Sequence, residues 1–113
     1  MDNNKHVAII YSDNAIVSIG MNHYTDINNS TSTNKSVHAE VDAYRKLVDK
    51  IRVGKIKSNG TFHLVVVRYN NSKNLVLSKP CCHCQNMLRN SLIRRIYWST
   101  ADGNFSYCSR SCL

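Results

Sequence analysis

The residues best suited to chemistry lie in two short segments, "HAE" at 38–40 and "PCCHC" at 80–84. Cys81 and Cys84 have the spacing Cys-x-x-Cys, which at the start of a helix brings both sulfurs within reach of one ion. The helix dipole there favours the thiolate form that binds metal. With His38 as a third ligand, two thiolates and an imidazole leave one position of a tetrahedral zinc open. An open position is typical of a catalytic zinc site.

Glu40 adds a group that a structural zinc site does not need. It lies two residues after His38, and we expect its carboxylate to face a water on the metal without binding the metal itself. Zinc lowers the pKa of such a water from about 15.7 to about 7. A carboxylate beside that water can take up a proton and return it. The combination of His38 and Glu40 therefore indicates a catalytic zinc site and not a structural one.

Other residues with ligand chemistry lack this arrangement. Cys82 fills a variable position of the motif, and the helix turns it away from the metal-binding pair. We expect His83 to face solvent or the substrate entrance. Cys108 and Cys112 could bind a second metal together, but ordinary thiols are the simpler interpretation because only two ligands are visible.

In the first half of the chain, a hairpin, a loop and a helix are predicted. Two β-rich runs, "HVAIIY" and "AIVSIG", flank "SDN" and predict the hairpin. The polar stretch "NHYTDINNSTSTNKS" has no periodicity and predicts a long loop. The helix is predicted from His38, with Ser36 as its N-cap. Its core-facing positions recur at helical spacing: Ala43, Tyr44, Leu47, Val48 and Ile51.

The second half predicts a strand, a helix and another hairpin. "FHLVVVRY" is a continuous apolar run, typical of a strand buried on both faces. "LVLS" is a short extended piece before Pro80, and the pattern from Cys81 to Leu92 is helical. "RRIYWST" and "NFSYCS" flank "ADG", a hairpin turn signal. The order ββ-α-β-α-ββ predicts one sheet with at least two helices packed on it, in a single domain over residues 1–113.

Composition limits the class of protein and its partners. The chain of 113 residues has no apolar run long enough to span a membrane, and its N-terminus lacks the features of a signal peptide. We therefore expect a cytoplasmic or otherwise intracellular protein, in which five cysteines indicate metal binding before disulfides. Fifteen Lys and Arg against seven Asp and Glu give a formal charge of +8. That charge suits a polyanionic partner.

Together these segments resemble a known family. "HAE" and "PCCHC" match the H-x-E…P-C-x-x-C signature of the zinc-dependent nucleoside and nucleobase deaminases. The chain looks most like the cytidine deaminase branch, because "LVLSKPC" and the D-G hairpin of "IYWSTADGNFSY" follow its pattern, and the similarity spans residues 7–108. The resemblance implies an α/β fold of three layers, the cytidine deaminase-like fold. Its mixed sheet of about five strands is flanked by helices, and the last two strands are antiparallel.

The resemblance also implies roles for individual residues. Glu40 would be the catalytic acid/base, which moves the proton of water to N3 of cytosine and then to the leaving amine. Water attacks C4, and ammonia leaves uracil behind. "IGMN" resembles a G-x-N step of the family in which Asn22 contacts the substrate sugar, and the backbone near Ala39 and the Cys81 turn would orient the base. One Zn²⁺ would have three protein ligands: His38, Cys81 and Cys84.

The chain departs from the family pattern in three places. Tyr24 replaces a Glu that grips the ribose in free-nucleoside cytidine deaminases, and we expect Tyr24 to bind substrate by stacking on a base. The N-terminal helix of the family is missing or reduced to a few residues. The segment between Glu40 and Pro80 is longer than in the family.

The predicted function is hydrolytic deamination of a cytosine base, free as cytidine or deoxycytidine, in a nucleotide, or within single-stranded nucleic acid. The charge and Tyr24 favour nucleic acid, whereas the strand order and the small size favour a free nucleoside. The resemblance implies a homo-oligomer, a dimer or tetramer, while a monomer would suit an open nucleic-acid groove better. The alternative is a nucleic-acid-binding module of the same fold whose zinc is purely structural.

Overall fold

The computed structural model describes residues 5–25, 35–70, 72 and 74–109, without the side chains of residues 24, 25, 35, 36 and 83. The predicted order of elements is confirmed, with two short strands added inside the predicted loop and a short strand formed by the predicted extended piece "LVLS". The elements are β1 (Lys5–Ser12), β2 (Ala15–Met21), β3 (His23–Thr25), β4 (Lys35–Val37), α1 (Ala39–Arg52), β5 (Phe62–Tyr69), β6 (Leu75–Val76), α2 (Cys82–Arg89), β7 (Ile93–Ser99) and β8 (Phe105–Ser109).

Six strands form one mixed sheet. Its main path is β2-β1-β5-β7-β8, and β6 pairs with the end of β5. Strands β5 and β7 are parallel, whereas β7 and β8 are antiparallel. The first hairpin turns through Asp13 and Asn14, both with positive φ, and the last hairpin has Gly103 at φ +83°. The predicted mixed sheet with an antiparallel final pair is confirmed.

The start of α1 differs from the prediction. Strand β3 pairs with β4, so that Tyr24 lies opposite Ser36, and the two ends of the predicted loop form a small ladder. Residues 26–34, in the middle of that loop, lie outside the described residues. The prediction of Ser36 as N-cap is wrong because the extended chain continues to His38, which has φ −73° and ψ 150° and caps the helix.

Both described helices lie on the same face of the sheet. Leu47 of α1 and Leu88 of α2 belong to one buried cluster with Leu64 of β5. On β5, residues 62, 64 and 66 are at most 1% exposed, whereas the alternating Val65 and Val67 are only half-buried. The prediction that β5 is buried on both faces is therefore wrong within the described ranges. Helices flank the sheet as predicted, but in the described part they form a single layer.

Helix α1 protects the outer edge of β2. Backbone groups of residues 17, 19 and 21 on this edge strand each bond to a side chain of α1: Lys50, Lys46 and Asp42. Four residues along a helix span about 6 Å, and two residues along a strand span about 6.7 Å. Every fourth side chain of α1 can therefore reach every second residue of β2. The Lys46 ammonium also lies 3.1 Å from the Asp42 carboxylate. These contacts fix the position of α1 along the sheet.

The close approach of α1 to β2 depends on Gly20. A Cβ atom built there would lie 2.3 Å from the Ala39 carbonyl oxygen and 2.3 Å from the Ala43 nitrogen. Next to it, the Ser18 hydroxyl donates a hydrogen bond to the Ala43 carbonyl at 2.9 Å. The absence of a side chain thus lets the first turn of α1 lie directly on the strand. No helix in the described part of the chain is long and apolar enough to cross a membrane.

The substitution Gly20→Ala should move the first turn of α1 and with it His38. We expect a loss of about 1–3 kcal/mol of unfolding free energy, as for other overpacked sites, together with weaker zinc binding. Urea denaturation and zinc titration measure the two effects. Gly60→Ala is the matched control, because its added Cβ meets no atom closer than 3.3 Å, the tip of the Phe62 ring, and no backbone atom closer than 3.7 Å. Equal effects of the two substitutions would contradict this account.

Candidate active site

Two helix starts place the predicted metal ligands side by side. His38 is the N-cap residue of α1 and Cys81 is the N-cap residue of α2, and neither side chain caps its own helix. Both side chains therefore remain available to another partner. The positive ends of two helix dipoles converge at this point, which stabilises thiolates and other anions.

The three ligand atoms have distances that suit one zinc ion. Nδ1 of His38 lies 3.3 Å from Sγ of Cys84 and 3.5 Å from Sγ of Cys81. Tetrahedral zinc with ordinary Zn–S and Zn–N bonds separates such a pair by about 3.6 Å. All three atoms lie within 4.8 Å of one another. The arrangement fits three protein ligands and one further position.

Glu40 lies at this cluster as a neighbour. It is only 4% exposed, and its carboxylate lies near enough to the Cys84 thiol to raise the pKa of that thiol. The carboxylate is not part of the group of three ligand atoms. A buried acid beside the metal position, outside the ligand set, can act on a molecule bound there.

The environment of the Cys84 thiol favours a bound cation. The side chain is 1% exposed, and burial raises the pKa of its thiol, with further contributions from the Glu40 carboxylate and from Cys81. Acidic groups packed together out of water resist ionisation unless a positive charge joins them. A divalent ion would supply that charge and displace the thiol protons. This environment is a second indication, besides the distances, that the residues fit a metal.

A buried pair of serines holds the segment that leads to Cys81. The Ser78 hydroxyl donates to the Val66 carbonyl at 2.9 Å and accepts a hydrogen bond from the Ser99 backbone N–H at 2.8 Å. The Ser99 hydroxyl in turn donates to the Val76 carbonyl at 2.7 Å. Ser78 and Ser99 are 4% and 0% exposed. These bonds attach the chain before Pro80 to the ends of β5 and β7.

The residues predicted to contact substrate have mixed positions. Asn22 is exposed at the end of β2, and its Oδ1 accepts a hydrogen bond from the His6 backbone N–H at 3.1 Å. Ala39 is fully buried under the first turn of α1. The Tyr24 side chain lies outside the described residues. The roles of these three residues remain predictions.

The two other cysteines that the structure describes, Cys82 and Cys108, do not join the cluster. Cys82 is exposed and is absent from the group of ligand atoms found in the described residues. Cys108 is half-buried and packs against the core. Cys112 and the His83 side chain lie outside the described residues. A surface cavity of about 280 Å³ near Gly60 contains none of the predicted site residues.

The residues that support the site were not predicted from the sequence. The bonds of Lys46 and Lys50 to the edge of β2 were not foreseen, nor was the serine pair. The spacing of Asp42, Lys46 and Lys50 at intervals of four was the available signal, because it makes one polar stripe on the flank of a helix. The signal for the serines is weaker, since nothing in their neighbourhood distinguishes them from other strand-end serines.

Comparison with known proteins agrees with this geometry. A family model of the cytidine and deoxycytidylate deaminase zinc-binding region matches residues 2–100. The chain therefore belongs to this family, and the predicted zinc cofactor is confirmed by the family together with the His-Cys-Cys cluster. No curated protein sequence matches the chain at a significant level.

Solved structures show the same fold at low identity. Cytidine deaminase from Burkholderia pseudomallei aligns with a TM-score of 0.63 and 16% identity, over 97% of this chain and 78% of that chain. The dCMP deaminase from cyanophage S-TIM5 aligns with a TM-score of 0.56 and 18% identity, over 84% and 65%. Cytidine deaminase from Mycobacterium leprae has a TM-score of 0.50 and 13% identity, over 97% and 77%.

Replacing Cys84 should remove metal binding, whereas replacing its neighbour Cys82 should not. We expect Cys84→Ser to weaken zinc affinity by more than the roughly 10–100-fold that follows loss of an outer partner of a ligand. Cys82→Ser is the matched control, because that thiol is exposed and outside the cluster. Zinc content by mass spectrometry, with competition against a chelator, measures both. Loss of zinc from Cys82→Ser would overturn the assignment.

Removing the Ser78 hydroxyl should remove its buried hydrogen bonds to the Val66 carbonyl and the Ser99 N–H. We expect Ser78→Ala to lower the free energy of unfolding by about 1–3 kcal/mol. The exposed turn residue Ser72 gives the control Ser72→Ala, with an expected change near zero. Urea denaturation of the metal-free protein measures both values, and an unchanged Ser78→Ala would refute the role of the pair.

Proposed function

We propose that this protein is a zinc-dependent hydrolytic deaminase that converts a cytosine base to uracil. The observation that carries the proposal is the buried Glu40 carboxylate, which lies beside the cluster of His38, Cys81 and Cys84 without belonging to it. Membership of the cytidine and deoxycytidylate deaminase family supports the same reaction. A purely structural zinc site would leave a buried acid at this position without a use.

The protein residues have separate tasks in this reaction. When bound, zinc supplies the activation of water that attacks C4 of the base. Glu40 takes up one proton of that water and delivers it to N3; it then takes the second proton, from the hydroxyl that the attack leaves on C4, and delivers it to the leaving amine as the C4–N bond breaks. Because Glu40 is only 4% exposed, its proton exchanges with the bound molecule in preference to bulk solvent. The backbone at Ala39 and Cys81 would hold the base by hydrogen bonds.

For the form of the substrate, we propose cytosine within single-stranded nucleic acid as the first candidate. His38 and Cys81 are exposed, so the site opens at the surface and could admit a base that is still attached to a strand. The charge of +8 favours the same polyanionic substrate. The second candidate is the free nucleoside or nucleotide, which the names of the similar solved structures favour.

The substitution Glu40→Gln keeps the shape of the side chain and removes its ability to accept a proton. We expect deamination to fall by about 10²–10⁴-fold while zinc content and folding stay unchanged. Uracil formation by mass spectrometry is measured on cytidine, deoxycytidine, their monophosphates, and single- and double-stranded oligonucleotides. Asp49→Asn, at an exposed carboxylate of the same helix, is the control and should keep full activity.

Two outcomes would contradict the proposal that this protein is a deaminase. Activity that survives Glu40→Gln would exclude the proposed acid/base. A zinc-loaded wild-type protein that converts none of these substrates would favour a binding module with a structural zinc. The ranking of the substrates decides between the nucleic acid and the free forms.

A further inference from the structure

The face of the sheet away from the helices carries a group of aromatic side chains around Arg95, beside the exposed aliphatic side chains of Ile16, Ile19 and Met21 on β2. Register places Tyr11, His63 and Arg95 in one row across β1, β5 and β7. The next row on the same face contains Tyr97 of β7 opposite Tyr107 of β8. Since alternate residues of a strand share a face, these rows belong to one surface. We call it the tyrosine face, and its members are Tyr11, His63, Arg95, Tyr97, Phe105 and Tyr107.

Contacts between these side chains hold them in fixed positions. The rings of Tyr11 and His63 lie 5.2 Å apart, and those of Tyr97 and Tyr107 lie 5.4 Å apart. The Arg95 guanidinium lies 5.4 Å from the centre of the Tyr107 ring, and its Nη1 donates to the Tyr97 hydroxyl at 3.3 Å. The face is therefore ordered before any ligand binds, which reduces the entropy lost on binding.

Large aromatic surfaces on this face remain in contact with water. Tyr107 is 62% exposed and Phe105 is 49% exposed, both on the edge strand β8. Their positions two residues apart place them on the same face of β8, with about 6.8 Å between their positions along the strand. Exposed aromatic groups that cluster on a rigid sheet mark an interaction surface more often than isolated exposed residues do.

The charge on this face has one sign. No described strand contains Asp or Glu, and Asp13 and Asp102 lie in the two hairpin turns that join strands of this sheet. Arg95 is exposed at the centre of the aromatic group. The surface thus offers cations and π-faces without carboxylates that would repel a phosphate.

We propose that the tyrosine face binds single-stranded nucleic acid, with bases stacked on Tyr97, Phe105 and Tyr107 and a phosphate or a base face on Arg95. Open sheets that present aromatic side chains bind single strands in this way, since every base has a π-face. This surface is distinct from the zinc cluster, whose ligands lie at the starts of the two helices on the opposite face. The proposal does not depend on the deaminase reaction.

A second copy of the chain fits this face less well. A symmetric dimer would bring the patch against itself, so that the two Arg95 side chains would lie in one interface. With no carboxylate on the described strands, nothing on this face would compensate that repulsion. Charge complementarity thus selects a polyanion as the occupant.

The test measures binding of the zinc-loaded protein to a fluorescent oligomer of deoxythymidine by anisotropy. An oligomer without cytosine cannot be a substrate, so the signal reports binding and not turnover. We expect affinity that falls steeply with salt, and a loss of roughly 5- to 100-fold for Tyr107→Ser but little for Tyr107→Phe. Arg95→Gln should weaken binding more than Arg45→Gln, which removes the same charge from an exposed position of α1.

Each other outcome would overturn the proposal. The proposal would be wrong if the wild-type protein did not bind the oligomer, or if wild type and Tyr107→Ser bound it with equal affinity. Equal losses from Arg95→Gln and Arg45→Gln would show diffuse attraction by net charge. A wild-type dimer in sedimentation that becomes monomeric on Tyr107→Ser would assign the face to a second copy. Two further measurements separate failure of this proposal from failure of the proposed deaminase. Tyr107→Ser should still deaminate free cytidine, and Glu40→Gln should still bind the oligomer.

Discussion

The direct contact between the first turn of α1 and strand β2 is the constraint on which the site depends. Gly20 permits it, because any side chain there would collide with the backbone of Ala39 and Ala43. The bonds from Asp42, Lys46 and Lys50 to the strand edge then fix how far the helix lies along the sheet. The serine pair performs the same task for the segment before α2. Two helix starts held in this way bring an imidazole and two sulfurs to one point.

Placing both described helices on one face has consequences for the other face. The helix side contains the core and the metal cluster, with residues such as Leu64 and Ile96 fully buried. The opposite side keeps half-buried Val65 next to Tyr97 and the exposed Tyr107. One sheet would therefore separate the two proposed tasks, the deaminase reaction at the helix starts and binding on the strands away from the helices.

Local patterns predicted the elements well and the tertiary relations less well. "HAE" and "PCCHC" indicated the ligand set because ligand type and spacing are properties of the sequence itself. The N-cap was misplaced from His38 to Ser36, since a short strand pairing overrode a favourable capping residue. Hydrophobicity in "FHLVVVRY" could not tell whether one face or two would be covered. Nor could it show that Lys50 bonds to a strand edge, which depends on residues far away in the chain.

The coordination of zinc in the loaded protein tests the central claim most directly. X-ray absorption at the zinc edge should show two sulfurs at about 2.3 Å and two lighter atoms at about 2.0–2.1 Å, with the scattering of one imidazole. That result would mean that zinc is bound by Cys81, Cys84 and His38, with a fourth position open to a small molecule. A shell of three sulfurs or of two imidazoles would mean that Cys82, His83 or another protein group closes the site. The metal would then be structural, and the proposed deaminase would be wrong.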